Sequence, residues 1–146
     1  MIRLLRHRSD ERGSAAIETA VGVPAFVLLV GLIIFGGRTA TAHQSVESAA
    51  ADAARAASIE RTSTSARAAA ISAATTSLTN QGVHCLDIDV SVDADQFNRT
   101  VGEAATVSVR VQCRIDLSDL SVQAVPGSRL ISATMTSPID TFRERA

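Results

Sequence analysis

The sequence predicts an α+β chain: a long N-terminal transmembrane helix continuing into an extracytoplasmic helix, a second short helix, then a small antiparallel β-sheet. Three observations predict it. Thr19–Gly37 (TAVGVPAFVLLVGLIIFGG) carries no charge. Alanines recur at helical spacing between Arg38 and Ile59. Two later stretches alternate apolar and polar residues, the period of a half-buried strand.

The uncharged run comes first. Its nineteen residues reach about 28 Å as a helix, against a bilayer core about 30 Å thick. Adding Ala15–Ile17 makes it long enough to span with some tilt. Pro24 lies one to two turns in, a position that allows a kink. Gly22, Gly31, Gly36 and Gly37 offer the small surfaces found where membrane helices pack closely. Ahead of the run, Met1–Gly13 carries four arginines against Asp10 and Glu11, net +2. Arginines on one flank hold that end in the cytoplasm. Everything after Arg38 is therefore expected outside.

One carboxylate, Glu18, stands at the mouth of the run. A charge at the bilayer centre costs about 3 kcal/mol, and less near the edge. It finds a partner, takes a proton, or reaches into the head groups. Three readings of the segment compete. It is a plain anchor; or a secretory signal cut after Ala40-Thr41-Ala42, although its apolar part exceeds the usual signal length; or a leader cut after Gly13 that leaves the helix attached. In the third reading Glu18 is the fifth mature residue, and the new ammonium on Ser14 lies one helical turn from it.

The arrangement Gly13-Ser14-Ala15-Ala16-Ile17-Glu18 before an apolar helix resembles the processing and assembly signal of type IV pilins and pseudopilins. With Thr19-Ala20 and Val23-Pro24 it is similar, more narrowly, to the TadE-like (TadE/TadG) minor pseudopilins of tight-adherence pilus systems. Ala49–Ser58 resembles the alanine- and arginine-containing helix that follows the membrane segment there. The closing Pro126-Gly127-Ser128, Ser132-Ala133-Thr134 and Ser137-Pro138 resemble the ending of high-GC Gram-positive members. Thr19 stands where many members have an aromatic. The resemblance implies cutting between Gly13 and Ser14 by a prepilin peptidase, and a role for Glu18 as the assembly carboxylate that pairs with a neighbour's amino terminus. It implies other pilin or pseudopilin subunits and the Tad assembly platform as partners.

Beyond the membrane, Val46, Ala50, Ala53 and Ala57 form one narrow apolar face, with Glu47, Asp52 and Arg55 mostly off it. That face can pack in its own subunit or on another rod. Arg61–Ser65 breaks the pattern with residues that cap helix starts. A second helix is expected over Ser65–Leu78, with Ala69, Ile71 and Ala74 among its apolar positions and Asn80-Gln81-Gly82 closing it. Leu86, Ile88, Val90 and Val92 then alternate with polar residues, as do Val107, Val109, Val111 and Cys113. Pairing Val90 with Val109 in an antiparallel hairpin matches the apolar faces. Ala94–Glu103 reads as a loop, Asp116–Ser121 as a turn of helix, Pro126-Gly127 as a turn, Leu130–Thr136 as a third strand, and Arg143–Ala146 as a frayed tail.

Cys85 and Cys113 fall in the region placed outside, where an oxidising compartment permits a disulfide. The hairpin brings them near each other, but Cys85 is one residue off the inward face, so a bridge requires an irregularity at the strand end. Two buried free thiols are the alternative. Only His84 lies nearby, and two Cys with one His do not complete a tetrahedral metal site.

Little else carries chemistry. Asp87, Asp89, Asp93 and Asp95 form an acidic row without the spacing of a calcium loop, and read as a solvated strand face. His7, His43 and His84 are scattered. Asn98-Arg99-Thr100 is a glycosylation sequon, relevant only where that machinery exists. Beyond the leader the chain is net −3, with four Phe and no Trp or Tyr, which gives no case for nucleic acid. No cofactor, metal or enzymatic activity is expected. The expected organisation is a basic leader over 1–13, a transmembrane helix over 14–37, alanine-rich helices over 38–80 and a β domain over 81–146. It places a single-pass protein in the cytoplasmic membrane, N-terminus inside, available for incorporation into a pilus. The alternative is a secreted or anchored cell-surface protein whose apolar segment is only a signal or anchor.

Overall fold

The computed structural model describes residues 11–118 and 127–142, with side chains from Ile17 onward. Residues 1–10 of the leader expected over 1–13, residues 119–121 of the helical turn expected over Asp116–Ser121, Pro126 and the tail 143–146 lie outside the described residues. The chain divides into two compact units, Met1–Gly36 and Gly37–Ala146. The elements are α1 (Glu11–Ser58), α2 (Ser63–Asn80), β1 (Cys85–Asp93), a 3-10 turn (Asp95–Asn98), β2 (Ala105–Asp116) and β3 (Ser128–Ile139).

In the first unit the described structure is the apolar part of α1. Pro24 lies inside the helix, and the helical assignment is continuous across it. Lacking an N–H, it removes one bond of the ladder.

In the second unit, α1 buries a broader face than the narrow stripe expected. Ala42, Ser45, Val46, Ala49, Ala50, Ala53, Ala54, Ala57 and Ser58 are all buried. These form two rows at i, i+4 spacing rather than one, because the helix has neighbours on two sides. Ser77 Oγ of α2 donates to Asp52 Oδ2 at 2.7 Å, and the Ser58 and Ser137 hydroxyls meet at 3.1 Å, tying the helix end to β3. Small side chains let these elements approach closely. Glu47, Asp52 and Arg55 are exposed, as their spacing predicts.

α2 starts and stops by local chemistry. The Thr62 hydroxyl accepts from the Ser65 N–H, and the Ser65 hydroxyl in turn accepts from the Thr62 N–H, a capping box. At the other end Gly82 takes φ +68°. Its N–H reaches the Thr79 carbonyl, and the Val83 N–H reaches that of Leu78, satisfying two end carbonyls in a Schellman arrangement. Its buried face is Ala66, Ala70, Ala74 and Leu78. Of the three positions expected to be apolar contacts, only Ala74 is fully buried; Ala69 is half-buried and Ile71 is exposed. Alanine, serine and threonine surround this helix on every side, so composition does not phase it. Leu78, the largest fully buried side chain, does.

The sheet is antiparallel in the order β1-β2-β3. Val90 pairs with Val111 and Val92 with Val109, two residues from the expected Val90–Val109 register. A shift of two preserves the faces, because side chains alternate with period two. The register slips between Cys85 and Asp87, so Leu86 is the extra residue of a β-bulge and is exposed rather than inward. The bulge turns Cys85 onto the inward face opposite Ile115, and Cys85 and Cys113 form a disulfide with Cα atoms 5.4 Å apart. This is the irregularity that the pairing required.

The core side of the sheet is Val107, Val109, Val111, Cys113 and Ile115 of β2 with Ile131, Ala133 and Ile139 of β3. Phe97, expected in a loop, is buried on the 3-10 turn. The third strand is longer than Leu130–Thr136, because β3 pairs with the whole of β2. Its Pro138 is tolerated on an edge strand, where a missing N–H breaks no ladder.

Candidate membrane and assembly segment

The apolar part of α1 is exposed all round. Eleven large apolar side chains from Ile17 to Ile34 are exposed, among them Ile17 at 70% and Phe26 at 65%. Burying each is worth about 1.5–3 kcal/mol. The sum, about 15–30 kcal/mol, exceeds the net stability of a typical domain, about 5–15 kcal/mol. Left in water, this segment would expose a large contiguous apolar surface. A helix apolar on every face belongs in a core or a bilayer, and α1 is long and apolar enough to cross a membrane.

The predicted site residues fall into two groups. Gly13 and Ser14 lie in the helical backbone near the start of the described part of α1, and Glu18 follows Ser14 by one turn with its side chain exposed. Gly22 stands one turn further on, and a Cβ placed there would meet nothing within 4 Å. Space therefore remains beside the carboxylate. Cys85 and Cys113 lie in the sheet, where they are joined.

The acidic row does not converge. Asp87, Asp89 and Asp93 sit on the outer face of β1, opposite Arg114, Gln112 and Ser108 of β2. Asp95 instead opens the 3-10 turn, where its N–H is held by Asp93 Oδ1 at 3.2 Å. Among the described residues no group of three His, Cys, Asp or Glu could hold a metal ion. His43 Nδ1 lies 3.6 Å from Glu47 Oε1 across one turn of α1. Among the described residues, Asp116 has a carboxyl held below its ordinary value, by hydrogen bonds from Ser118 first and from the Leu117 backbone.

The comparison with protein families bears on the N-terminal part alone. Residues 13–55 match the TadE-like protein family. No curated protein and no solved structure matches the chain. The TadE-like segment begins at Gly13, encloses Glu18 and the apolar run, and ends at Arg55 on the alanine rows.

Sequence reading missed one feature that reaches from that segment into the rest of the second unit. Arg38, Thr41 and Ala42 of α1, Gln81–His84 after α2, and Ile115–Leu117 at the end of β2 line a pocket of about 570 Å³. Arg38, directly after the apolar run, was the available signal.

Proposed function

We propose that the protein is a minor pseudopilin, a structural assembly component of a Tad-type pilus or secretion machine. It is made with its amino end in the cytoplasm and cut by a prepilin peptidase between Gly13 and Ser14. α1 then holds it in the cytoplasmic membrane, with the disulfide-pinned sheet outside, until it joins other pilin or pseudopilin subunits on the assembly platform. The observation that carries this reading is the coincidence of the TadE-like segment's start with Gly13, one turn and one residue ahead of a carboxylate at the mouth of an exposed apolar helix.

The chemistry supports it. Cutting creates an ammonium on Ser14, one turn from Glu18, and the pair offsets part of the cost of a charge near hydrocarbon. A neighbouring subunit displaced along the axis supplies the same partner. Glycine is about 1 kcal/mol worse than alanine in a helix, so Gly13 weakens α1 locally at the bond to be cut. Replacing Gly13 with a bulky residue should block processing, seen as a retained leader on a gel, and unchanged mobility relative to wild type would refute the cleavage site. Glu18→Ala should leave processing intact and reduce incorporation into the assembly; full incorporation would remove the assembly role from the carboxylate.

A further inference from the structure

The pocket beside Arg38 lies wholly within the second unit and has a defined depth along the chain. Arg38 and Thr41 come one and four residues after Gly37, the last residue of the uncharged run. On a helix those steps are about 1.5 and 6 Å. The head-group layer on each side of a bilayer is about 5–8 Å thick. The wall that α1 gives to the pocket therefore stands at head-group level.

The lining suits that level. Of its lining residues, Ile115 and Leu117 are buried and apolar and Val83 is half-buried, whereas Arg38, His84 and Asp116 are exposed. A volume of about 570 Å³ is in the range of small-ligand sites. One cationic and one anionic side chain lining the same pocket match a ligand that carries both charges. Arginine has five donors, so its guanidinium can take a phosphate in addition to contacts within the protein. Asp116 accepts the N–H of Ser118, 2.9 Å from Oδ1, and hydrogen bonds from the Ser118 hydroxyl and the Leu117 backbone also hold its carboxyl below the ordinary value; a carboxylate has about four lone-pair sites, so it can accept an ammonium in addition.

We propose that this pocket holds the head group of a zwitterionic phospholipid from the bilayer that α1 crosses, with its phosphate on Arg38 and its primary ammonium on the Asp116 carboxylate. A primary ammonium donates hydrogen bonds to a carboxylate; a quaternary one cannot. An anionic head group without an ammonium would be repelled by Asp116. The preferred lipid is therefore phosphatidylethanolamine over phosphatidylcholine and phosphatidylglycerol. The proposal rests on the membrane reading of α1.

The test uses the full chain in nanodiscs holding equal parts of the three lipids, with the lipids retained on release from the disc counted by native mass spectrometry. Wild type should retain phosphatidylethanolamine about fivefold over phosphatidylcholine, the scale of one exposed ion pair. Asp116→Asn should abolish that preference, and Arg38→Gln should lower retention of all three lipids. Equal retention by wild type, enrichment of phosphatidylglycerol, or variants that behave as wild type would overturn the proposal. Flotation with vesicles separates the two ideas. A chain that floats without discriminating lipids refutes the pocket alone, whereas one that stays with the soluble fraction refutes the membrane reading as well. Circular dichroism of both variants checks that the fold is retained.

Discussion

Removing the disulfide should cost a large part of the stability of the second unit. Cys85 and Cys113 are 28 residues apart in sequence. Closing a loop of that length removes chain entropy from the unfolded state worth about 3.6 kcal/mol at 25 °C in the chain-entropy model. The cross-strand partners between the two cysteines give the unfolded chain some tendency to close the loop unaided, so the expected loss is about 2–4 kcal/mol. The variant is Cys85→Ala with Cys113→Ala, because serine at the fully buried Cys113 would add an unsatisfied hydroxyl. The assay is urea unfolding of the full chain in mild detergent, followed by circular dichroism. With a slope of about 1–3 kcal/mol/M, the midpoint should fall by about 1–2 M. Wild type under reducing agent should fall by the same amount. A shift below about 0.3 M in both experiments would refute the reasoning, because it would mean that the strand pairing and core hold the hairpin without the bridge.

Three further outcomes follow from the packing and the caps. Leu78→Ala, at the fully buried end of the α2 face, should destabilise by about 2–5 kcal/mol in the same assay; a loss under 1 kcal/mol would mean that α2 is not docked through Leu78. Gly82→Ala should cost about 1 kcal/mol, because φ +68° places a Cβ against the carbonyl, although no other atom lies within 4 Å; a neutral result would deny the left-handed cap. Asp116 has a folded-state carboxyl held below its ordinary value of 3.8, so its contribution is present above that value and is lost as pH falls through and below it. The stability difference between wild type and Asp116→Asn should therefore shrink on going from pH 7 to pH 2, and a difference that grows on acidification would contradict the hydrogen bonds from Ser118.

Much of this architecture was legible because the sequence states it strongly. A nineteen-residue uncharged run has no reading other than an apolar helix, and the alternation through Val107–Cys113 fixes both a strand and its inward face. The capping residues Thr62 and Gly82 carry their own local chemistry. What was not legible has physical causes as well. The face of α1 was read too narrowly because alanine and serine differ little in size, so Ser45 and Ser58 were not expected among the buried positions. α2 was phased wrongly because its composition is nearly uniform around the axis. The extra residue at Leu86 cannot be read from alternation, since a bulge suspends alternation where it occurs; only the misplaced Cys85 hinted at it. Phe97 looked like part of a polar loop, yet a lone large aromatic near a sheet end finds the core. Of the candidate site, Gly13, Ser14 and Glu18 stood out by spacing, while the pocket beside Arg38 needed α2 and β2 to be brought together by the fold.

The most direct measurement of the central claim is the intact mass, with N-terminal sequencing, of the protein taken from the membranes of its host. The expected chain starts at Ser14 and keeps the whole apolar helix. A chain starting at His43 would make the segment a discarded secretory signal, and one starting at Met1 in assembled material would leave Glu18 without the ammonium assigned to it.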